Sequence, residues 1–244
     1  MNNLMTKSLA QIVNENHRAA NVFEEYHLDF CCKGKRSLQQ ACAESLVSAE
    51  ELIRALDSTV KADNYSVHLN YNLLSLSQLA DYIVSTHHAY VKQEMPQILS
   101  YLQRVAAKHG DRHPEMLKVV EIFAAVKEEM EQHMQKEELI LFPRIKEIEK
   151  QNIGVNKNKL AISYLQSPIH RMEEEHDHAG AAMAEIRALT NNYNTPADAC
   201  TTYRLSYAAL QAFEMDLHQH VHLENNVLFP KAMDFFNKST ADIN

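Results

Sequence analysis

The sequence predicts an all-α protein, in which an up-down-up-down four-helix bundle follows a small helical domain. The 244 residues include only four glycines and six prolines, so residues that break helices are rare. Four long segments have helical patterns, three of them with alternating steps of three and four and the first with a looser pattern, which is typical of helices packed in a bundle. One sequence phrase also occurs twice, once in each half of the predicted bundle.

The composition limits the kind of protein. Charged residues make up 23% of the chain and apolar residues 45%, as in an ordinary soluble globular protein. The formal net charge of -8 argues against nucleic acid as a partner. No stretch reaches the roughly 20 apolar residues that span a bilayer, and the N-terminus lacks the basic-then-apolar order of a secretory signal. We therefore expect a cytoplasmic protein with no membrane partner and reduced cysteines.

Residues 1–57 are predicted to form the small helical domain. Apolar residues between 12 and 23 are spaced for one amphipathic helix. Ser37 is placed to cap a short helix, and Ser48 with Glu51 has the pattern of a capping box.

Residues 75–244 are predicted to form the bundle, and residues 58–74 read as a linker because they are polar, Asn-rich and aperiodic. Breaks between the four helical patterns are predicted at 110–114, 151–168 and 191–196. Four helical patterns separated by three breaks predict an up-down-up-down bundle.

The repeated phrase places a histidine and a glutamate four residues apart on one helix face. The two copies are His133, Glu137, Leu141, Phe142, Pro143 and His220, Glu224, Leu228, Phe229, Pro230. A further histidine precedes each copy, His87 the first and His176 the second. The prolines are expected to end or kink their helices beyond the glutamates.

All six of these histidines and glutamates fall on positions that face the bundle core. A buried carboxylate is costly unless it is protonated, paired or bound to a metal. We therefore predict that a pair of metal ions is held by His87, His133, Glu137, His176, His220 and Glu224. His88 is the alternative to His87, which the helical step from Ile83 favours.

A plainer interpretation is a helical duplication whose core histidines are merely hydrogen-bonded. His170 and Glu174 show how weak a single spacing is, because they have the same interval, lie off the seam and lack the following Leu-Phe-Pro. The duplication of the whole phrase favours the metal site.

Imidazole and carboxylate ligands without thiolate suit iron, manganese, zinc or copper. Four histidines and two bridging glutamates leave each of two ions with fewer than six ligands. Open positions on a redox-active ion bind small diatomic molecules or peroxide. Two iron ions are therefore the first choice, ahead of manganese and zinc.

The bundle resembles the hemerythrin-like di-iron proteins, and the whole chain is similar to the iron–sulfur cluster repair di-iron (RIC) family. The second resemblance includes the family's Asp-[Phe/Tyr]-Cys-Cys motif, here residues 29–32. By motif, the family's ligands fall on the six residues predicted above. Oxygen-carrying hemerythrins have a fifth histidine and a final aspartate, whereas this chain has Glu224. The resemblance therefore implies cluster repair rather than oxygen carriage.

Cys31 and Cys32 are the candidate functional cysteines. A disulfide between sequence neighbours closes a strained ring, so it would be labile. Two thiols beside Lys33 and Lys35 are expected to have lowered pKa values and to serve redox or soft-metal chemistry. An inert packed turn is the alternative. Cys42 and Cys200 are expected to be small buried apolar residues. Tyr90 is expected to be a core residue, with a hydrogen bond to the metal site as the alternative.

The expected function, implied by the resemblance, is repair of iron–sulfur clusters damaged by oxidative or nitrosative stress, through iron donation or nitric oxide handling. Expected partners are damaged iron–sulfur proteins, nitric oxide and oxygen, with a homodimer left open. The alternatives are a di-iron nitric oxide or peroxide reductase and a module that senses or stores oxygen, nitric oxide or iron.

Overall fold

The computed structural model describes residues 2–61, 70–153 and 163–241, and in these ranges the regular structure is helical. Parts of the predicted linker (62–69) and of the predicted break between the halves (154–162) lie outside them. Five helices precede the bundle: α1 (Asn2–Thr6), α2 (Leu9–Glu15), α3 (Ala19–Glu25), α4 (Leu38–Ser45) and α5 (Ala49–Lys61). Helix α5 thus continues into the stretch predicted as linker, and the domain boundaries stay a prediction.

The small domain is built on capped short helices. Ser8 and Ser37 each form a capping box with the glutamine three residues later, which begins α2 and α4. The single helix expected over residues 12–23 is wrong. Asn16 adopts an extended backbone that closes α2, and α3 begins after it.

The bundle follows, and three of its four helices contain a π turn. The elements are α6 (Leu76–Ile83), a π turn (Val84–His88), α7 (Ala89–His109), α8 (Glu115–Lys136), a π turn (Glu137–Leu141), α9 (Phe142–Ile153), α10 (Ser163–Leu189), α11 (Thr201–Leu223), a π turn (Glu224–Leu228) and α12 (Phe229–Ala241). Helix α7 packs against α8 and α11, and α8 packs against α10. The predicted all-α four-helix bundle is confirmed.

The two prolines of the repeated phrase do not end their helices. Phe142 N–H bonds to the Glu137 carbonyl five residues back, and the same bond joins Phe229 to Glu224. This wider turn comes just before Pro143 and Pro230, which lack an N–H group, so the helix continues beyond each proline. Pro168, expected in a break, likewise lies inside α10.

Two apolar clusters lie on either side of the polar ligand layer. One contains Met130, Ala179 and Leu217 and runs into the small domain, where it includes Phe23 and Phe30. The other is built around residues of the π turns and the helices beyond them, among them Ile83, Leu141, Phe142, Met172, Leu228 and Phe229. The small domain and the bundle therefore share a core. Among the described residues, no helix has the length and apolar character needed to cross a membrane.

Candidate metal centre

Six imidazole and carboxylate groups converge between the two apolar clusters. They form two groups that share both glutamates: His88 with His220, and His133 with His176, each with Glu137 and Glu224. In each group one donor atom per residue lies within 4.8 Å of the others. All six side chains are buried, and five of the six residues have no exposed surface. Such a set, from three helices and three π turns, fits a pair of metal ions.

Each histidine pair has the spacing of two ligands on one ion. The Nε2 atoms of His88 and His220 are 3.1 Å apart, and those of His133 and His176 are 3.0 Å apart. Two nitrogens about 2.1 Å from one ion, at right angles to each other, lie about 3.0 Å apart. The four histidines therefore divide into two ligand pairs.

Both carboxylates reach both histidine pairs. Glu137 Oε2 is 3.3 Å from Nε2 of His88 and of His133. Glu224 Oε1 is 3.1 Å from His220 Nε2, and its Oε2 is 3.0 Å from His176 Nε2. Both oxygens of Glu137 and Oε2 of Glu224 are buried without a partner in hydrogen-bond geometry. Such oxygens suit bridging positions between two cations.

Groups around the cluster fix the orientation of three of the four imidazoles. Nδ1 of His88 lies 2.8 Å from Glu138, Nδ1 of His133 lies 3.0 Å from Glu175, and Nδ1 of His176 lies 2.8 Å from the Asn225 side-chain oxygen. An acceptor at Nδ1 holds the proton there, so the Nε2 lone pair points inward. These imidazoles are prepared to bind a metal.

His220 is held differently. Its Nδ1 is buried without a hydrogen-bond partner, and its ring stacks on His87 with centroids 5.7 Å apart and an interplanar angle of 8°. Packing, rather than an acceptor, orients this imidazole.

Charge inside the cluster is balanced between acids and bases. Burial opposes the charged form of His88 and His133, but the neighbouring glutamates outweigh it and raise the pKa of both to about 10. Burial also opposes ionisation of Glu137 and Glu224, but the histidines lower the pKa of both carboxyls. A metal ion bound here would replace the positive charge of these protons, so metal binding would release protons.

His87 does not lie in the cluster, and the sequence expectation is corrected in favour of His88. The π turn Val84–His88 adds one residue to the helical turn, so the inward step from Ile83 is five residues instead of four. His87 instead places Nδ1 2.9 Å from Asp216 Oδ1. The other five predicted residues do come together.

Sequence reasoning missed the groups that orient the imidazoles. Glu138 and Asn225 each directly follow the glutamate of a repeated phrase, and each contacts a histidine of another bundle helix. Because the two residues occupy the same position in the two copies of the phrase, the duplication could have indicated their shared role.

A small cleft approaches the cluster from outside. It has a volume of about 150 Å³, and His133, Lys136, Arg171 and Glu175 contribute to its lining. Glu175 contacts both Lys136 and Arg171 as well as His133. The hydrogen bond with His133 is the largest of the contributions that lower the pKa of Glu175 to about 2.

The vicinal cysteines lie on a separate turn. Asp29 Oδ1 accepts the backbone N–H groups of Cys31, Cys32 and Lys33 at 3.1, 2.9 and 3.2 Å. The two Sγ atoms are 3.9 Å apart and the cysteines are free. The expected lowering of the Cys31 pKa is wrong, because the Cys32 contact and burial raise it well above the ordinary thiol value.

The remaining two cysteines differ from each other. Cys42 is buried, as expected, but Cys200 is partly exposed at the N-terminus of α11. Backbone N–H groups of Tyr203 and Thr202 lower the Cys200 pKa.

The bundle with its buried donor cluster defines a cation-binding domain of the hemerythrin class, and comparisons with known proteins agree. The hemerythrin HHE cation binding domain matches residues 79–232. The ScdA N-terminal domain, a domain of unknown function, matches residues 5–60.

Similarity to known proteins extends over nearly the whole chain. It is 33% identical to the iron–sulfur cluster repair protein YtfE of Musicola paradisiaca, covering 93% of this chain and 96% of that protein. It is 33% identical to a probable iron–sulfur cluster repair protein of Haemophilus influenzae, covering 88% and 92%. It is 30% identical to the repair protein ScdA of Staphylococcus haemolyticus, covering 91% and 96%. The chain belongs to the iron–sulfur cluster repair protein family.

Proposed function

We propose that this protein holds two iron ions between its bundle helices and repairs iron–sulfur clusters damaged by oxidative or nitrosative stress. The observation that carries the proposal is the pair of histidine groups that share both Glu137 and Glu224. The family relationship supplies the client class, since the relatives are named iron–sulfur cluster repair proteins.

The donor set favours iron over its competitors. The cluster offers imidazole nitrogens and carboxylate oxygens and no sulfur, which suits iron, with manganese and zinc ranked below it. Two bound iron ions would supply redox change and open positions for nitric oxide or oxygen. We propose His88, His133, Glu137, His176, His220 and Glu224 as the ligands.

The chain's own residues control loading and release. Glu138, Glu175 and Asn225 hold three imidazoles with Nε2 inward, and the flanking apolar clusters keep bulk water out. On release of iron, His88 and His133 would regain protons, because the neighbouring glutamates raise the pKa of each imidazole to about 10. Protonation thus replaces the lost positive charge and makes release of iron less costly.

A revival assay tests the proposal. Iron-loaded protein is added to an iron–sulfur enzyme that nitric oxide has inactivated, and recovery of its activity is measured. We expect wild type and Glu174→Ala to restore activity, and Glu137→Ala with Glu224→Ala to fail. Glu174 is the matched control because it follows His170 at the same spacing outside the cluster.

Two outcomes would overturn this function. One is iron-loaded wild type that leaves the damaged enzyme inactive. The other is steady consumption of nitric oxide with an electron donor and no revival, which identifies a reductase. The cytoplasmic location and the contact with damaged iron–sulfur proteins are proposed with the repair function and depend on it.

A further inference from the structure

We propose that the turn formed by residues 29–32 is a second cation site, separate from the bundle centre, which takes one thiolate-preferring divalent cation. Within the repair function proposed above, on which the identity of the cation rests, that cation is ferrous iron held outside the bundle. One donor atom from each of Asp29, Cys31 and Cys32 lies within 4.8 Å of the others.

The sulfur spacing matches coordination of one ion. Two thiolates bound about 2.3 Å from a tetrahedral ion lie about 3.8 Å apart. The Sγ atoms of Cys31 and Cys32 are 3.9 Å apart without a metal. A disulfide needs a separation of about 2 Å and a strained ring between neighbours. The turn therefore suits a shared cation better than an internal disulfide.

The turn is held in place from both sides. Its backbone N–H groups converge on Asp29 Oδ1. From the bundle, the Asn226 side chain donates to the Cys31 carbonyl at 2.9 Å and to the Phe30 carbonyl at 3.4 Å. A donor group fixed before binding loses little conformational freedom on binding a cation.

The turn faces a cleft of about 550 Å³ between the small domain and the bundle. Glu24, Asp29 and Asp177 contribute acidic groups to its lining, against Lys33 and Arg187. Cys31 is buried and Cys32 partly exposed, so a cation approaches from the cleft on the Cys32 side. The space around it admits water or a donor atom of a client protein as a further ligand.

Binding is an exchange of a cation for protons. The divalent ion forms bonds to both sulfurs, the two thiols release two protons to solvent, and no oxidation state changes. The Cys31 thiol now lies 3.3 Å from Asp29 Oδ1 and 3.9 Å from Cys32 Sγ. The cation takes the place of the proton in this contact.

Cobalt(II) absorption tests the site on the full, reduced chain. The bundle cluster contains no sulfur, so sulfur-to-cobalt charge-transfer absorption in the near ultraviolet reports only thiolate coordination. We expect wild type, Cys42→Ser and Glu137→Ala with Glu224→Ala to show the band, and Cys31→Ser with Cys32→Ser to lose it. The absence of the band in wild type, or a band that survives the double serine variant, overturns the site.

A second measurement needs no variant. Alkylation of wild type is followed by peptide mapping with and without cobalt(II). We expect cobalt to slow modification of Cys31 and Cys32 and to leave the rate at Cys42 unchanged. Equal rates at Cys31 and Cys32 with and without cobalt overturn the proposal.

The role of the cysteine site in repair is tested separately. Cys31→Ser with Cys32→Ser should keep its bundle iron and fail to revive the damaged enzyme. Full revival by this variant overturns the assignment of the site to repair. Failure of wild type in the same assay overturns the proposed function, while the cobalt band decides the cation site independently.

Discussion

Two adjacent histidines have different roles because one extra residue in a helical turn changes which of them faces inward. His88 joins the donor cluster, and His87 bonds to Asp216 and stacks on His220. The sequence identified five of the six clustered residues, because the duplicated phrase fixes the spacing of four of them and His176 lies on the regular seam of α10. His88 could not be chosen from the spacing, since a π turn lies between Ile83 and Ala89 and adds one residue to the α-helical step.

Variants of the two histidines should therefore behave differently. We expect His88→Ala to lose iron from the pair it forms with His220. His87→Phe keeps a ring that stacks on His220 and should retain about two iron ions per chain. Iron content after anaerobic loading and desalting is the measurement. Loss of iron in His87→Phe together with full iron in His88→Ala would show that His87, and not His88, is the ligand.

At the scale of the element, the π turns set which face of each bundle helix points inward. The regular seam predicts Ile140 as a core residue after Glu137, yet Ile140 is 46% exposed and Leu141 is buried. The extra residue of the turn Glu137–Leu141 accounts for the change. Pro143 and Pro230 indicated two of the three π turns, because a residue without an N–H group lies just beyond Glu137–Leu141 and Glu224–Leu228.

Deleting one residue of the first π turn tests this view. Removing the exposed Ser85 leaves Ile83 and His88 one α-helical step apart, so both still face inward. We expect this variant to fold and retain iron. Removing the exposed Gln93 from α7 rotates everything before it by about 100°, so that variant should lose iron. Circular dichroism and iron content measure both, and equal iron loss in the two variants would contradict the account.

A carboxylate from another helix accepts hydrogen bonds at the N-terminus of α6. The ionisation of this carboxylate makes the stability of the fold depend on pH. Glu149 accepts the backbone N–H groups of Leu76 and Ser77 at 2.8 and 3.0 Å. Burial opposes its charge, but hydrogen bonds from Ser77, Leu76 and Ser75 lower the pKa below the ordinary 4.5. A depressed carboxyl pKa stabilises the fold above 4.5, and this stabilisation disappears as pH falls through the folded-state value.

Glu149→Gln should therefore lower the free energy of unfolding by about 1 kcal/mol at neutral pH. The difference from wild type should shrink as pH falls below 4.5. Denaturant unfolding across this range is the measurement, with the exposed Glu128→Gln as control. A difference that grows on acidification would contradict the assignment.

At the scale of the whole molecule, the small domain is joined to the bundle by residues beside the ligands. His218 Nδ1 lies 2.6 Å from Glu24, and His222 Nε2 lies 3.1 Å from the Asn14 side-chain oxygen. The sequence predicted two modules, and the small domain docks on the bundle through these two histidines. Residues two positions from a ligand on an α-helix point away from it, and the sequence does not show which residues they contact.

Asn226 is the residue that most directly connects the cysteine turn to the bundle. Asn226→Ala removes the donor to the Cys31 and Phe30 carbonyls and should cost about 1–2 kcal/mol. We expect faster hydrogen exchange in residues 28–35 and unchanged exchange in α8. The exposed Asn21→Ala is the control. Unaltered exchange in the turn would show that other contacts hold it.

Mössbauer spectroscopy of the oxidised, iron-loaded protein tests the metal centre most directly, because it reports both the amount of iron and the coupling between ions. The shared Glu137 and Glu224 predict about two iron ions per chain in one spin-coupled pair. Only magnetically isolated ions, or an iron content far below two per chain, would contradict a centre bridged by these glutamates.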